Sequence, residues 1–251
     1  MGELYNKVCG LENLVSAWNK VKEKGAAGGI DQISIEVFEK DLDTNLKNLS
    51  ELLSIHRYIP EPYKEIKTSK GKDEYRYLSL PTIRDKIVQQ AIKDVIEPIF
   101  EREFLDVSYG YRPNKGPVKA INRVSHLMVN EKRSWVTICD IDNYFDEIHH
   151  DILFSLLAER IKDDELLSLI RLGIKMGKVD KKLRWRDRVR GIPQGSIISP
   201  LLSNLYLHPH QMLYSGAPRG RFPSTLSGLM EDLMPSFTIL HRHRLPLVLP
   251  N

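Results

Sequence analysis

Apolar residues recur every three or four positions along much of the chain's first half, a spacing that predicts amphipathic helices. The first 25 residues predict one helix that ends at the flexible breaker Lys24-Gly-Ala-Ala-Gly-Gly29. Its apolar face carries Leu11, Leu14, Val15, Trp18 and Val21. A second predicted helix follows, and the apolar positions expected to be buried on it are Ile33, Val37, Phe38 and Leu42.

The pattern changes to extended chain at about residue 58. The prolines of Tyr58-Ile-Pro-Glu-Pro-Tyr63 disfavour helix, and residues 66–80 predict a β-hairpin around a turn at 69–73. Helical spacing returns over residues 85–104, where Pro98 is expected to kink or end the helix because proline lacks an amide donor.

The second half begins with a predicted loop at 108–113 and a helix opened by Pro117, a residue well tolerated at the first helical position. Its apolar positions, expected to be buried, are Val118, Ile121, Val124 and Met128. Residues 135–140 alternate and are rich in β-branched side chains, so they predict a strand that ends at Asp140. The remaining predicted elements are helices near 149–161 and 164–176, a polar hairpin at about 178–192, and a helix at about 200–207.

The composition changes at about His208. No lysine follows Lys182, and six of the 14 prolines lie from Pro209 onward. Residues 240–251 show neither a helical nor a strand period. We therefore expect the tail to be a frameshifted or truncated end in preference to a divergent one.

Composition sets broad limits on the class of protein. A chain of 251 residues with 41% hydrophobic and 28% charged residues is ordinary for a globular protein of one or two domains. Cys9 and Cys139 lack metal-ligand spacing, no window approaches the roughly 18 apolar residues of a membrane span, and the N-terminus has no signal pattern. A reduced, cytoplasmic location without a membrane partner is expected.

The net charge of +4 is small, but its distribution is uneven. Between Lys178 and Arg190 there are seven Lys or Arg against two Asp, with Trp185 among them. Such a cluster suits the phosphate backbone of a nucleic acid. A solvated, charged hairpin explains the same pattern equally well.

Asp140-Ile-Asp-Asn-Tyr-Phe145 is the sharpest local candidate for chemistry. Nucleotidyl transfer by two divalent metals needs carboxylates that hold both ions about 3.5–4 Å apart. A strand end is a rigid place for one such carboxylate, and the Ile141 carbonyl can add an oxygen ligand. Taken alone, two nearby aspartates are more often solvated or capping residues, and Phe145 is more often a core aromatic.

Gly191-Ile-Pro-Gln-Gly195 raises the specificity of that interpretation. Its glycines allow a ligand to approach the backbone, and Pro193 stiffens the turn. Gln194 offers both a donor and an acceptor to a nucleotide. A glycine-proline turn is usually only a turn, but this one follows the Asp140 strand by about 50 residues and precedes Ser196-Ile-Ile-Ser-Pro200.

Seven stretches carry a resemblance to a known family. Five lie in the first half: 28–31 (GGID), 76–85 (RYLSLPTIRD), 88–91 (VQQA), 97–100 (EPIF) and 108–113 (SYGYRP). The other two are 140–153 (DIDNYFDEIHHDIL) and 191–200 (GIPQGSIISP). In order and spacing they resemble the fingers and the start of the palm of group II intron-encoded reverse transcriptases.

The resemblance implies an α+β fold, the fingers and partial palm of a right-hand polymerase without its thumb. It divides the chain into an N-terminal extension and fingers (1–130), a partial palm (131–208) and a divergent tail (209–251), for which a frameshift and disorder are the alternatives. The implied activity is RNA-directed DNA synthesis with Mg²⁺, or alternatively Mn²⁺. The implied partners are an RNA template or intron RNA, a DNA primer and deoxynucleoside triphosphates.

The resemblance also implies residue roles. Asp140 corresponds to the first catalytic aspartate, with the Ile141 carbonyl as a further metal ligand. Phe145 corresponds to the gate that excludes a ribose 2′-hydroxyl, Gln194 packs against the incoming nucleotide, and Arg76 is a candidate for gripping the triphosphate. Weaker nucleic-acid-binding candidates are Arg112, Lys182, Arg184, Arg186 and Arg188.

One motif of the family is not in the sequence. An aromatic-x-Asp-Asp turn is expected some 40–50 residues past Gln194, yet the chain's one Asp-Asp pair is Asp163-Asp164. Glu231-Asp232 lies at a suitable distance but lacks the strand and aromatic. We therefore expect impaired polymerase activity, because sites that act as a unit lose about 10⁴-fold or more when one member is missing.

Two further hypotheses stay open. The chain could be a non-catalytic, maturase-like RNA-binding module, since RNA is recognised largely by shape and phosphate position. It could also be a truncated product without function, with an unpaired, aggregation-prone strand edge near residues 136–139.

Overall fold

The computed structural model describes residues 2–25, 27–69, 71, 75–133, 135–180, 182–214 and 237–244, with the backbone alone for 136, 137, 139, 212–214 and 237–244. Its helices are α1 (Glu3–Cys9), α2 (Leu11–Glu23), α3 (Ile35–Glu39), α4 (Leu42–Ser54), α5 (Ile83–Glu101), α6 (Pro117–Val129), α7 (Tyr144–Glu147), α8 (His150–Arg160), α9 (Asp164–Lys175) and α10 (Ser199–Tyr214). Its strands are β1 (Tyr63–Ser69), β2 (Tyr75–Leu80), β3 (Trp135–Ile141), β4 (Lys178–Val179), β5 (Trp185–Arg186) and β6 (Phe237–Arg244).

These elements form two compact units. The first combines Met1–Glu103 with Phe145–Ser203, and the second combines Phe104–Tyr144 with Asn204–Asn251. The domain boundaries expected at residues 130 and 208 stay predictions.

Helix α5 is the core of the first unit. Its apolar side chains Ile83, Ile87, Val88, Ala91, Ile92, Ile96 and Phe100 are all buried. Polar residues of the same helix, Asp85, Lys86, Gln89 and Gln90, are buried as well. The helix begins at Thr82, whose side chain accepts a hydrogen bond from the Asp85 amide, and it continues past Pro98 to Glu101. Of the two predicted effects of Pro98, ending the helix is therefore wrong, and a kink stays a prediction.

The N-terminal segment is two helices instead of the single predicted helix, because the chain is extended at Gly10 (φ −59°, ψ 131°). Leu14, Trp18 and Val21 are buried as predicted. Leu11 and Val15, on the edge of that face, remain about two-fifths exposed. The predicted second helix is likewise α3 and α4, and Ile35 and Phe38 are buried there while Ile33 and Val37 are exposed.

A small mixed sheet completes the first unit. Its strand order is β2-β1-β4-β5, with β1 antiparallel to β2 and parallel to β4. The predicted hairpin at 66–80 is confirmed, although its turn lies partly outside the described residues. The polar hairpin at 178–192 is confirmed as the short β4–β5 pair.

In the second unit β3 forms at 135–141, as predicted, and delivers Asp140 near its end. It pairs antiparallel with β6 from the tail, with an irregularity between Ile138 and Cys139. This sheet has two described strands, so the expectation of an unpaired edge at 136–139 holds for one side of β3 and not for the other. Residues 237–244 form a strand although the sequence shows no strand period from residue 240 onward. Register places His241 and His243 opposite Ile138 and Val136. The rest of the tail, 215–236 and 245–251, lies outside the described residues.

Helix α6 begins at Pro117 as predicted, but its apolar face is not buried. Val118, Ile121 and Val124 are 71%, 64% and 46% exposed. Spacing predicts which side chains share a helix face. Burial of that face requires a packing partner, which a helical period does not specify. The predicted helix at 200–207 extends further, to Tyr214.

Among the described helices, none is long and apolar enough to cross a membrane. Cys9 is a buried free thiol, and the side chain of Cys139 lies outside the described part.

Candidate functional site

The turn at 191–196 is held against the segment that begins with Phe145. The Gly191 amide donates to the Ile148 carbonyl and the Ile192 amide donates to the Phe145 carbonyl, both at 2.8 Å. The turn and the Phe145–Ile148 segment therefore meet through main-chain hydrogen bonds within the first unit. Phe145 itself is half-buried there.

Gly191 is required at its position by conformation and by space. Its φ is +78°, a left-handed value that favours glycine. A Cβ at this position would lie 2.7 Å from the Asp146 carbonyl oxygen and 2.9 Å from that of Phe145. The glycine thus permits the close approach of the two segments.

Gln194 is held through both its backbone and its side chain. Its carbonyl accepts a hydrogen bond of 2.6 Å from the Ser79 amide at the end of β2. Its side-chain Nε2 donates to the Asp146 carboxylate at 3.2 Å. Gln194 therefore links β2 to α7 and keeps its amide in a defined orientation.

A buried glutamine supports the same turn from helix α5. Oε1 of Gln89 accepts hydrogen bonds from the Ser196 hydroxyl and the Ile197 amide, both at 3.0 Å. Sequence reasoning missed this residue. The available signal was a pair of glutamines between Val88 and Ala91, both expected on the core face of a helix.

His150 contacts the turn from α8. Its Nε2 lies 2.8 Å from the Gly191 carbonyl oxygen, and since a carbonyl only accepts, Nε2 carries the hydrogen. Nδ1 is buried without a partner in the described part of the chain. Burial lowers the pKa of His150 below its usual 6.5, so the side chain is held neutral.

Arg76 and Arg188 occupy different environments. Arg76 is exposed on β2, three residues before Ser79. Arg188 is half-buried, with Nη2 3.3 Å from the Ser79 hydroxyl and its guanidinium 5.8 Å from the centre of the Tyr63 ring. Burial lowers the pKa of Arg188. Arg188 therefore lies beside the strand end that holds Gln194, whereas Arg76 lies near the other end of β2.

The other cationic candidates of the 178–190 hairpin are exposed. Lys182, Arg184 and Arg186 line an open cleft of about 260 Å³ together with Lys67 and Tyr77. Arg184 forms an ion pair with Asp180 at 2.8 Å. The Arg184 amide and side chain lower the pKa of Asp180. Lys182, Arg184 and Arg186 are accessible to a polyanion, whereas Arg188 is largely withdrawn.

Asp140 and Ile141 belong to the second unit. Asp140 is exposed, and its Oδ1 accepts a hydrogen bond from the Ile141 amide at 3.0 Å. A carboxylate and a carbonyl are suitable oxygen donors for Mg²⁺. However, the described residues contain no group of three or more His, Cys, Asp or Glu able to hold a metal. The described residues therefore fit Mg²⁺ in donor type but do not form a complete site.

Arg112, also in the second unit, is used locally. Its Nη1 donates to the carbonyls of Leu105 and Ser108 at 2.6 and 3.0 Å. Its guanidinium lies 5.3 Å from the Phe104 ring centre. These contacts fix the 104–113 loop, and a role of Arg112 in nucleic-acid binding stays a prediction.

The single Asp-Asp pair has a structural task. Oδ1 of Asp163 accepts from the Leu166 amide and caps α9, while Oδ2 accepts from the Tyr5 amide. Asp163 is 5% exposed. It is therefore not positioned as a replacement for the missing aromatic-x-Asp-Asp turn, and Glu231-Asp232 lies outside the described residues.

Comparison with known proteins identifies relatives. Residues 66–221 match the family model described as reverse transcriptase (RNA-dependent DNA polymerase). Protein YkfC of Escherichia coli strain K12 is 36% identical over 209 residues, 79% of this chain and 54% of that protein. The group II intron-encoded protein LtrA of Lactococcus lactis subsp. cremoris is 32% identical over 196 residues, 77% of this chain and 32% of that protein.

The chain thus spans about half, or less, of the length of these relatives. Nuclear intron maturase 4, mitochondrial, of Arabidopsis thaliana is 28% identical over 130 residues, 52% of this chain and 16% of that protein. Among solved structures, the partial Cas6-RT-Cas1–Cas2 complex matches with a TM-score of 0.56 and 22% identity, over 83% of this chain and 34% of the matched chain. This likeness supports a shared fold.

Proposed function

This chain belongs to the reverse transcriptase family and is homologous to group II intron-encoded proteins, and from that membership we propose that it contains the fingers and the first part of the palm of an RNA-directed DNA polymerase. The observation that carries the proposal is the fixed turn that presents Gln194. It is hydrogen bonded on one side to the Phe145–Ile148 segment and on the other to Ser79 and Gln89.

The proposed role of this turn is to bind the incoming deoxynucleoside triphosphate. Gln194 packs against the nucleotide, and its orientation is set by Asp146 before the ligand arrives. Such preorganisation lowers the entropic cost of binding. Phe145, joined to the same turn through its carbonyl, is proposed to discriminate against a ribose 2′-hydroxyl.

Arg76 is proposed to bind the triphosphate. Its guanidinium fork matches phosphate oxygens, and its exposed position on β2 leaves it accessible. Arg188 is better suited to supporting the strand end, since it is half-buried and hydrogen bonded to Ser79.

The family generally uses Mg²⁺. We propose that the Asp140 carboxylate and the Ile141 carbonyl contribute two of its oxygen ligands, with Mn²⁺ as an alternative ion. The remaining ligands are not found in the described part of the chain. An RNA template or intron RNA and a DNA primer complete the proposed set of partners.

We further propose that the 251-residue chain, tested alone, is a weak polymerase. The sequence contains Asp-Asp once, and the first aspartate of that pair, Asp163, is buried and caps α9. Loss of one member of a catalytic set costs about 10⁴-fold or more, so extension by this chain is expected to be slower by that order than by a relative with the complete motif.

Primer extension on an RNA template, with Mg²⁺ and deoxynucleotides, tests these proposals. The chain is compared with Asp140→Ala and with Asp151→Ala, a control that removes an exposed carboxylate from the first turn of α8. Weak extension that Asp140→Ala alone abolishes supports the polymerase proposal. Robust extension overturns the proposed weakness, and extension unaffected by Asp140→Ala overturns the role of Asp140.

A second candidate function, RNA binding without chemistry, is favoured by one observation. Lys182, Arg184 and Arg186 are all exposed along one short hairpin beside Trp185. Cations and an aromatic in this arrangement suit RNA phosphates and bases. Salt-dependent RNA binding with no extension would support this function over polymerisation, whereas absence of both would overturn the two proposals.

A further inference from the structure

We infer that Gln89, which lies outside the Gly191–Gly195 motif, is a positioning residue for the nucleotide-binding turn and fixes it from helix α5. This inference rests on the proposed function of that turn.

Gln89 contacts the turn immediately after Gln194. Oε1 accepts from the Ser196 hydroxyl and from the Ile197 amide, both at 3.0 Å. The Ile197 amide can only donate, so the oxygen of the Gln89 side chain must face it. This contact assigns the orientation of the side-chain amide, since its two ends have opposite hydrogen-bonding roles.

The other end of Gln89 connects the turn to the core. Nε2 donates to the Tyr63 hydroxyl oxygen at 3.0 Å, and the Tyr63 hydroxyl donates to the Gly173 carbonyl in α9 at 3.0 Å. Burial raises the pKa of Tyr63, so its hydroxyl remains a donor. In each of these four hydrogen bonds the donor lies on the side of the turn and the acceptor on the side of α9, so the donor and acceptor roles are mutually consistent.

The side chains of the network are buried. Gln89, Tyr63 and Ser196 are 6%, 3% and 4% exposed. Gln89 lies in the middle of α5, surrounded by buried apolar residues of the same helix such as Val88 and Ile92. In such surroundings a polar group without a partner is costly, so the network strongly favours one position of the turn.

The opposite side of the turn is held by β2. The Ser79 amide donates to the Gln194 carbonyl at 2.6 Å, and Gly195, at φ +106°, would place a Cβ 3.0 Å from the Ser79 carbonyl oxygen. Ser79 therefore holds Gln194 itself, and Gln89 holds the two residues Ser196 and Ile197 that follow the Gly191–Gly195 motif. Removing Gln89 releases that following segment and gives the Gln194 backbone more freedom to move.

Gln89→Leu tests this role, because leucine is of similar size and removes all three hydrogen bonds. Gln90→Leu is the matched control. Gln90 is the next residue of α5 and is 3% exposed, but its Nε2 bonds within the helix, to Asp94 at 2.8 Å. Ser196→Ala removes a single hydroxyl and therefore one hydrogen bond to Gln89. It is the alternative test of the same role if Gln89→Leu does not fold.

Two measurements are made on the full chain: binding of dATP with Mg²⁺, and hydrogen exchange of the Ile197 amide. Gln89→Leu is expected to weaken dATP binding about tenfold and to speed exchange at Ile197. Gln90→Leu is expected to leave both unchanged, even where it lowers the unfolding midpoint as much. Ser196→Ala is expected to shift both quantities in the same direction by less.

The outcomes separate this inference from the proposed function. If the wild-type chain binds dATP and Gln89→Leu binds it equally well, or if both glutamine variants weaken binding equally, the positioning role is overturned. If the wild-type chain binds no dATP, the proposed nucleotide site is overturned and the inference fails with it.

Discussion

The side-chain amide of Gln194 donates to the carboxylate of Asp146 across 3.2 Å, joining residues 48 positions apart in the sequence. Asp146 directly follows Phe145, the proposed gate. The pair therefore connects the two parts of the proposed nucleotide site through side chains as well as through the backbone.

Asp146→Ala is expected to weaken dATP binding about threefold, because an exposed hydrogen bond to a charged acceptor contributes less than a buried one. Isothermal titration with dATP and Mg²⁺ checks this. Asp151→Ala, which removes the same charge from an exposed position of α8, should leave the affinity unchanged. An equal effect of both variants would indicate a general charge effect and contradict the role of the pair.

Gly191→Ala is expected to lower the free energy of unfolding by about 3 kcal/mol, because it combines a left-handed backbone with a steric clash. The added Cβ would lie 2.7 Å from the Asp146 carbonyl oxygen. Denaturant unfolding measures the change. Gly173→Ala is the control, since its Cβ meets nothing within 4 Å in the helix α9. It should raise stability by up to about 1 kcal/mol, and a loss at Gly191 no larger than about 1 kcal/mol would count against the clash.

His150 should make the stability of the first unit depend on pH. Its pKa is lowered by burial from 6.5, so the unfolded chain takes up a proton at a higher pH than the folded chain does. The stabilisation is fully present above pH 6.5 and is lost as pH falls below it towards the folded pKa.

Unfolding midpoints measured from about pH 7.5 to about pH 5.5 check this prediction. His150→Gln, which can still donate a hydrogen bond but does not titrate in this range, should remove that part of the pH dependence. A pH profile identical to that of the wild-type chain would show that His150 is not responsible.

RNA binding should depend on the three exposed cations of the β4–β5 hairpin. Combined substitution of Lys182, Arg184 and Arg186 by Ala is expected to reduce the slope of log K against log salt by about two, at about 0.7 released counterions per phosphate contact. A hairpin RNA with a single-stranded loop, titrated by fluorescence anisotropy, supplies the measurement.

The control for charge is a second triple variant, in which Lys7, Lys22 and Lys47 are replaced by Ala. These three are exposed lysines of α1, α2 and α4. Its salt slope should equal that of the wild-type chain. If both triple variants reduce the slope equally, binding follows net charge and the hairpin has no special role.

Much of the local structure of this protein was predictable from its sequence. The β1–β2 hairpin, strand β3 and helices α8 and α9 follow from the spacing of apolar residues and from breakers at their ends. The family could also be identified from the sequence, because each of its motifs is a short run of consecutive residues that is recognisable without knowledge of the fold. Residues close together in the sequence are sufficient to predict these elements and to identify the motifs, since both the apolar period and a motif extend over a few neighbouring positions.

Only the tertiary structure decided which predicted faces are buried. Val37 and Val118 have the right spacing for a core face and are 52% and 71% exposed, while the polar Gln89 is buried. Burial depends on what packs against a helix, and those partners come from distant parts of the chain. The same applies to Arg188, which the sequence groups with Arg186 but which the fold withdraws towards Tyr63 and Ser79.

The candidate site also divides into features that the sequence predicted and contacts that only the fold decided. Residue types and spacing predicted an aspartate at the end of a strand and, separately, a glycine-proline-glutamine turn. The fold alone decided that Gln194 bonds Asp146 and that Gln89 supports Ile197 across 108 positions. Hydrogen bonds between residues so far apart depend on how elements pack, and no local pattern in the sequence specifies them.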